Sequence, residues 1–219
     1  MKISLISYII KEMKNILPIL ADFANGIFAT AIVSYFFGID PTWHYIIGIL
    51  FAMSPDLDAI SELFKRGRVS SSAVYEYDHR EYLHFPILFI IIGFLMTYFS
   101  QFFGYLFLVA SMLHFVNDLY GTGWGVPIFW PFSKDRFKLF SRRSAQPKNL
   151  LIKNGFWDNL SDEERKFRFV VRWKNSELPQ YIKKYGIDDW IPEFYLKANP
   201  VCVTEYIIFI LSLFVLFIF

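Results

Sequence analysis

Apolar residues in this chain come in long unbroken runs, not at the three- and four-residue spacing of a half-buried helix. Pro18 to Phe37 predicts a first membrane span, ended by a tight turn at Gly38-Ile39-Asp40-Pro41, with Trp43, His44 and Tyr45 at interface depth. Trp43 to Met53 is a second, short apolar segment that runs into Ser54-Pro55. Leu83 to Phe103 predicts a third span, with Pro86 tolerated in its first turn. Phe85 precedes that proline and is biased away from helix, so His79 to His84 reads as a turn entering the span. A fourth span follows Gly104 and runs to about Tyr120, where Gly121-Thr122-Gly123-Trp124-Gly125-Val126-Pro127 stops it. Val201 to Phe219 is the last run, broken only by Glu205.

Between the runs the pattern turns polar. Residues 1–17 mix Lys2, Lys11, Glu12 and Lys14 with Ile and Leu, as an amphipathic helix lying in the interface does. Residues 61–77 form a polar loop, and 133–200 a polar, basic stretch. In that stretch Ser161-Asp162-Glu163-Glu164 predicts a capping box ahead of a Phe/Val-rich helix. The predicted fold class is all-α: a polytopic membrane protein of four to five transmembrane helices with a small cytosolic helical appendage. Its parts are an interfacial helix at 1–17, a membrane-embedded domain at 18–132, a basic cytosolic region at 133–200 and a C-terminal transmembrane helix at 201–219.

Composition sharpens this reading. Of 219 residues, 55% are hydrophobic and 21% aromatic, which excludes an ordinary soluble domain. Residues 134–200 carry 15 Lys and Arg against 9 Asp and Glu, while the rest carries 7 against 11. With five spans all 22 basic residues fall on one side, which the positive-inside rule assigns to the cytoplasm. That bias accounts for the basic region without nucleic acid. A removed signal peptide is not expected, because Lys11-Glu12-Met13-Lys14 follows the first short apolar run. The single cysteine, Cys202, excludes an internal disulfide.

Candidate chemistry lies where apolar runs end. Asp56 and Asp58 close the second segment, His79 and His84 open the third, and His114 and Asp118 sit near the end of the fourth. At 1.5 Å per residue, Asp56 and Asp118 lie roughly 20 Å from the outer ends of their helices and His114 about 15 Å, so the three groups share the cytosolic half of the membrane. His114 and Asp118, four apart, share a helical face, and a carboxylate in a last turn opposes the helix dipole unless a cation offsets it. Each pair also has a plain structural use. His114 and Asp118 can hydrogen-bond and tie helices together, and Ser54 as N-cap, Pro55 at N1 and two acids make a good helix start. Ionisable groups at such depth are costly and pair with each other or with ions, and imidazoles mixed with carboxylates suit Zn²⁺, Mn²⁺ or Fe, as one ion or two. Asp56 and Asp58, two apart, point to different sides of a helix, so one of them serves outside the first coordination sphere.

These motifs, with Pro55-Asp56-Leu57-Asp58, His79-Arg80 and Gly125-Val126-Pro127-Ile128-Phe129-Trp130-Pro131, resemble the YdjM-like family of inner-membrane-bound metal-dependent hydrolases over roughly residues 20–140. The resemblance implies that Asp56, Asp58, His79, His84, His114 and Asp118 take the family's metal-site positions. The chain departs from the family pattern at Glu81, Leu83 and Phe85. The family's early histidine has no counterpart, and Asn25 or Asp22 occupies its neighbourhood.

The expected function is metal-assisted hydrolysis of an amphiphilic ester or phosphoester at the cytosolic face of a bacterial or archaeal inner membrane. Zn²⁺ is the first-choice ion, Asp78 or Glu81 the general base, and Arg80 the group that forks onto a phosphate. Membrane lipid and an amphiphilic small molecule are the expected partners. The alternative is a non-catalytic, metal-stabilised membrane module whose basic tail, through Arg142, Arg143 and Lys148, binds a partner or anionic lipid.

Overall fold

The computed structural model describes residues 16–59, 80, 82–187 and 190–218. Asp78, His79, Glu81 and the 61–77 loop fall outside the described residues, as does nearly all of the expected interfacial helix. A 3₁₀ turn at Leu17–Ile19 leads into α1, Leu20–Phe37. Gly38 ends α1 in the left-handed conformation, φ 64°, and the next amide, of Ile39, donates to the Ser34 carbonyl at 3.0 Å. α2, His44–Ala52, is a short helix continued by a 3₁₀ turn at Ser54–Asp56. Ser54 does not cap that turn: its hydroxyl donates to the Phe51 carbonyl at 2.6 Å. His44 is not at the surface but buried, with Nδ1 2.9 Å from the Asp40 carbonyl and its ring against Phe102.

α3, Pro86–Phe99, and α4, Gln101–Tyr120, form a hairpin. Pro86 opens α3, and Phe85 before it is extended (φ −113°, ψ 93°) as its position requires. Ser100 caps α4 by accepting from the Phe103 amide at 3.4 Å, so α4 starts before Gly104, not after it. α1 packs on α2 and α4, and α3 on α4. Their shared core is Ala29, Val33, Ala52, Phe102, Leu106 and Ala110, with Phe89, Phe107 and Phe115 filling a second cluster. Small side chains on the facing helices are what let membrane helices approach closely.

The polar region is not all helical. β1, Arg136–Ser141, pairs antiparallel with β2, Arg168–Trp173, so the Phe/Val-rich stretch after the capping box is a strand. The capping box itself forms, but it starts only a four-residue helix, Asp162–Arg165. From Val170 to Trp173 the strand alternates, with Val171 and Trp173 buried and Val170 and Arg172 outside, which is the period of a strand and not of a helix. In chain order the helices of this region are α5 (Lys148–Lys153), α6 (Asp162–Arg165), α7 (Leu178–Tyr185) and α8 (Trp190–Tyr195). Trp124, from the loop after α4, packs edge-on against Trp173 at 5.7 Å, and Val126 bridges Phe137, so the sheet is fastened to the end of α4.

α9, Pro200–Ile218, packs back on α1. Among the described helices three are long and apolar enough to cross a membrane: the segment Leu17–Phe37, α4 and α9. α3 is apolar but has only 14 residues, about 21 Å of helix.

Candidate metal centre

Five elements meet below the α1–α2–α4 core. α4 carries His114 and Asp118 on the buried face that also holds Ala110 and Ser111. The Ser54–Asp56 turn supplies Asp56, with Asp58 two residues on. The extended entry to α3 holds His84, fully buried and edge-on to Phe115 at 6.2 Å. α1 brings Asp22, and Arg80 lies just ahead of the α3 entry.

The two imidazoles present their Nε2 atoms to the same pair of carboxylates. His84 Nε2 is 3.1 Å from Asp56 Oδ1 and 3.3 Å from Asp118 Oδ2. His114 Nε2 is 3.8 Å from Asp56 Oδ1 and 3.3 Å from Asp118 Oδ2. A tetrahedral ion with bonds of about 2.0–2.1 Å spaces its ligand atoms about 3.3–3.4 Å apart, so these four separations bracket the edge of such a tetrahedron. Asp56, His84 and His114 by themselves make a group that could hold a metal ion.

The outer nitrogens are taken. His84 Nδ1 lies 3.2 Å from Asp58 Oδ2, and His114 Nδ1 lies 2.6 Å from Asp22 Oδ1. An Nδ1–H that donates to a carboxylate leaves the Nε2 lone pair for a cation, and this histidine–carboxylate arrangement orients metal-binding imidazoles generally. Asp58 Oδ2 also accepts from the Leu83 amide at 3.1 Å, which fixes it. Two atoms of the inner set, His114 Nε2 and Asp118 Oδ2, are buried without a hydrogen-bond partner. Burying such atoms unpaired costs about 1–3 kcal/mol each. An ion removes that cost, and the donor set therefore fits one.

Charge argues the same way. Asp22, Asp56, Asp58 and Asp118 converge on two imidazoles, and among the described residues Arg80 lies 2.6 Å from Asp118 Oδ1. Arg80 is itself buried and also donates to the Thr122 carbonyl at 2.8 Å. Gly123 makes room for it: at φ 92°, a Cβ there would stand 1.9 Å from Arg80 Nη1. A divalent cation would offset most of the remaining negative charge.

Of the residues expected at the site, Asp56, His84, His114 and Asp118 come together around one point, and Asp58 stands behind His84. Arg80 is directed at Asp118. Asp22, which the sequence offered only as a possible stand-in for an early histidine, supports His114 directly. Glu205 was missed. It is 1% exposed on α9, with its carboxylate beside Gly121, and the signal that could have found it was a lone carboxylate within an apolar run.

Long apolar helices around a buried cluster of histidines and aspartates define a class: helical membrane proteins with a group of side chains able to hold a metal ion. The chain belongs to the YdjM inner membrane protein family, whose model matches residues 20–177. The match extends beyond residue 140 and takes in the residues of both strands. No curated protein and no solved structure matches the chain.

Proposed function

We propose that the protein is a membrane-bound, metal-dependent hydrolase acting on an amphiphilic phosphoester at the cytosolic membrane face. The observation that carries this reading is an asymmetry of access. The Asp56 side chain is 29% exposed while those of His84, His114 and Asp118 are at most 6%, so water and substrate reach the centre from the Asp56 side. Asp56, His84, His114 and Asp118 would hold a divalent ion, which would lower the pKa of water toward neutrality and offset charge on a phosphoryl oxygen. Asp58 and Asp22 hold the imidazoles in the ligating tautomer. Arg80 fixes Asp118 and supplies positive charge beside the reacting group. Asp78 and Glu81 flank this segment in sequence and are the proposed general bases. Zn²⁺ suits the donor set best, with Mn²⁺ or Fe as alternatives. In this reading α3 joins α4 as a fourth crossing segment, and the basic side faces the cytoplasm.

Purified protein in detergent, screened against short-chain phosphoesters, should show metal-dependent turnover. Asp56→Asn should lower kcat at least ~100-fold, by loss of a ligand on the accessible side. Stoichiometric metal with no turnover on any ester or phosphoester contradicts the reading. That result would favour a non-catalytic, metal-stabilised module, which the four-ligand shell also suits.

A further inference from the structure

A cavity of about 670 Å³ opens between the first turns of α9, the end of α4 and the sheet region, on residues the proposed chemistry does not use. Its volume is that of a site for one small amphiphile or chain, about 300–1,000 Å³. Its lining is of two kinds. α9 contributes Val201, Thr204 and Ile208, in line along one face of a helix long and apolar enough to cross a membrane. Arg142 and Lys148, ahead of and at the start of α5, line it as well.

Ring faces and a carbonyl are what these two cations meet. Arg142 donates Nε to the Arg165 carbonyl at 3.0 Å and lies over Phe167 at 5.3 Å. Lys148 Nζ lies over the Trp157 ring at 4.8 Å. Among the described residues neither has a carboxylate partner, whereas the neighbouring Arg143 is paired with Glu177 at 2.7 Å. Burial lowers the pKa of Arg142, as expected of a guanidinium taken out of water with no counter-charge to offset it. At the mouth Phe140 and Phe167 are 54% and 56% exposed, and Phe140 is held at φ 49°, in the left-handed region that a bulky residue rarely adopts. Exposed aromatics beside unpaired cations are the side-chain signature of a surface that rests at the headgroup level of a bilayer.

We propose that this groove binds one anionic phospholipid of the surrounding bilayer, its phosphate on Arg142 and Lys148 and one acyl chain along Val201, Thr204 and Ile208. The charge complementarity selects an anionic headgroup, and the continuity of the apolar wall with α9 selects a lipid over a soluble phosphate compound. The inference does not depend on the metal centre or on hydrolysis.

The test uses the full chain in nanodiscs of phosphatidylcholine doped with phosphatidylglycerol brominated on its acyl chain, with quenching of tryptophan fluorescence as one readout and the lipid retained through detergent extraction as the other. Wild type should retain about one phosphatidylglycerol per chain. The Arg142→Gln/Lys148→Gln variant should weaken that binding at least ~10-fold, given about 1 kcal/mol per basic residue near an anionic headgroup. Thr204→Trp should block the groove while leaving the cations in place, and should abolish retention. Equal retention of phosphatidylcholine and phosphatidylglycerol by wild type overturns the proposal. Unchanged retention in either variant does too, as does displacement of the lipid by millimolar inorganic phosphate.

Discussion

Each carboxylate around the two imidazoles does a separate job, and substitutions should separate those jobs. His84→Ala and Asp118→Ala remove ligand atoms and should abolish stoichiometric metal. Asp58→Asn and Asp22→Asn leave the inner set intact but remove the acceptors for His84 Nδ1 and His114 Nδ1. Loss of such support lowers metal affinity about 10–100-fold, which competition with a chromophoric chelator would measure. If both variants bind metal as tightly as wild type, the outer carboxylates are not orienting groups. Sequence order alone picked out Asp56, His84, His114 and Asp118, which the fold brings together, because each sits where an apolar run ends. It could not tell Asp56 from Asp58. That distinction depends on a 3₁₀ turn and on which carboxylate the Leu83 amide reaches, and neither has a sequence period. Asp22 was legible only as one of two candidates, with Asn25, for the place of an early histidine, since its partner lies 92 positions away.

At the level of helices and strands, the α1–α2 crossing decides where Asp56 stands. A Cβ on Gly48 would meet Thr30 Oγ1 at 2.0 Å and the Gly26 carbonyl at 2.6 Å. Gly48→Val should therefore push α2 off α1, destabilise the protein by about 1–3 kcal/mol and lower its metal occupancy, as seen by thermal melting and elemental analysis of the same sample. A normal melt with normal occupancy would show that the close approach is dispensable. In the polar region, Glu164 is pulled up by partial burial and pulled down further by hydrogen bonds from the Ser161 amide and hydroxyl and from Tyr185 and Lys184, to about 2 from an ordinary 4.5. A carboxyl depressed on folding stabilises the fold above its unfolded value and loses that effect as pH falls toward its folded one. Near-ultraviolet circular dichroism of the tryptophans around Trp173 should therefore weaken between pH 4.5 and about 2, and Glu164→Gln should flatten that dependence. The capping box was readable from four residues. The strand that follows it is masked in the sequence by that helix-start signal, its alternation covers only a few residues, and its partner strand lies some thirty residues earlier.

The whole molecule is a bundle of apolar helices with a polar, sheet-containing region fastened to one end, and the sidedness proposed for it rests on charge. The positive-inside rule puts the α3–α4 turn on the far side from the basic region. Ser100→Cys at that turn should react with an impermeant maleimide only from outside, and the native Cys202 is buried and should stay silent. Labelling from the cytoplasmic side would invert the topology and the side from which substrate arrives. The apolar runs were legible in the hydropathy pattern, but against the four to five spans expected only three of the described helices are long and apolar enough to cross a membrane. The lengths of the runs as helices were not legible, because Pro86 and Ser100 trim the third run to 14 residues.

The central claim is that His84, His114, Asp56 and Asp118 surround a metal ion, and elemental analysis of protein purified without added metal tests it most directly. The account predicts about one transition-metal ion per chain in wild type and less than a tenth of that in His84→Ala. A wild-type protein that is folded, metal-free and unable to take up Zn²⁺, Mn²⁺ or Fe²⁺ would contradict it.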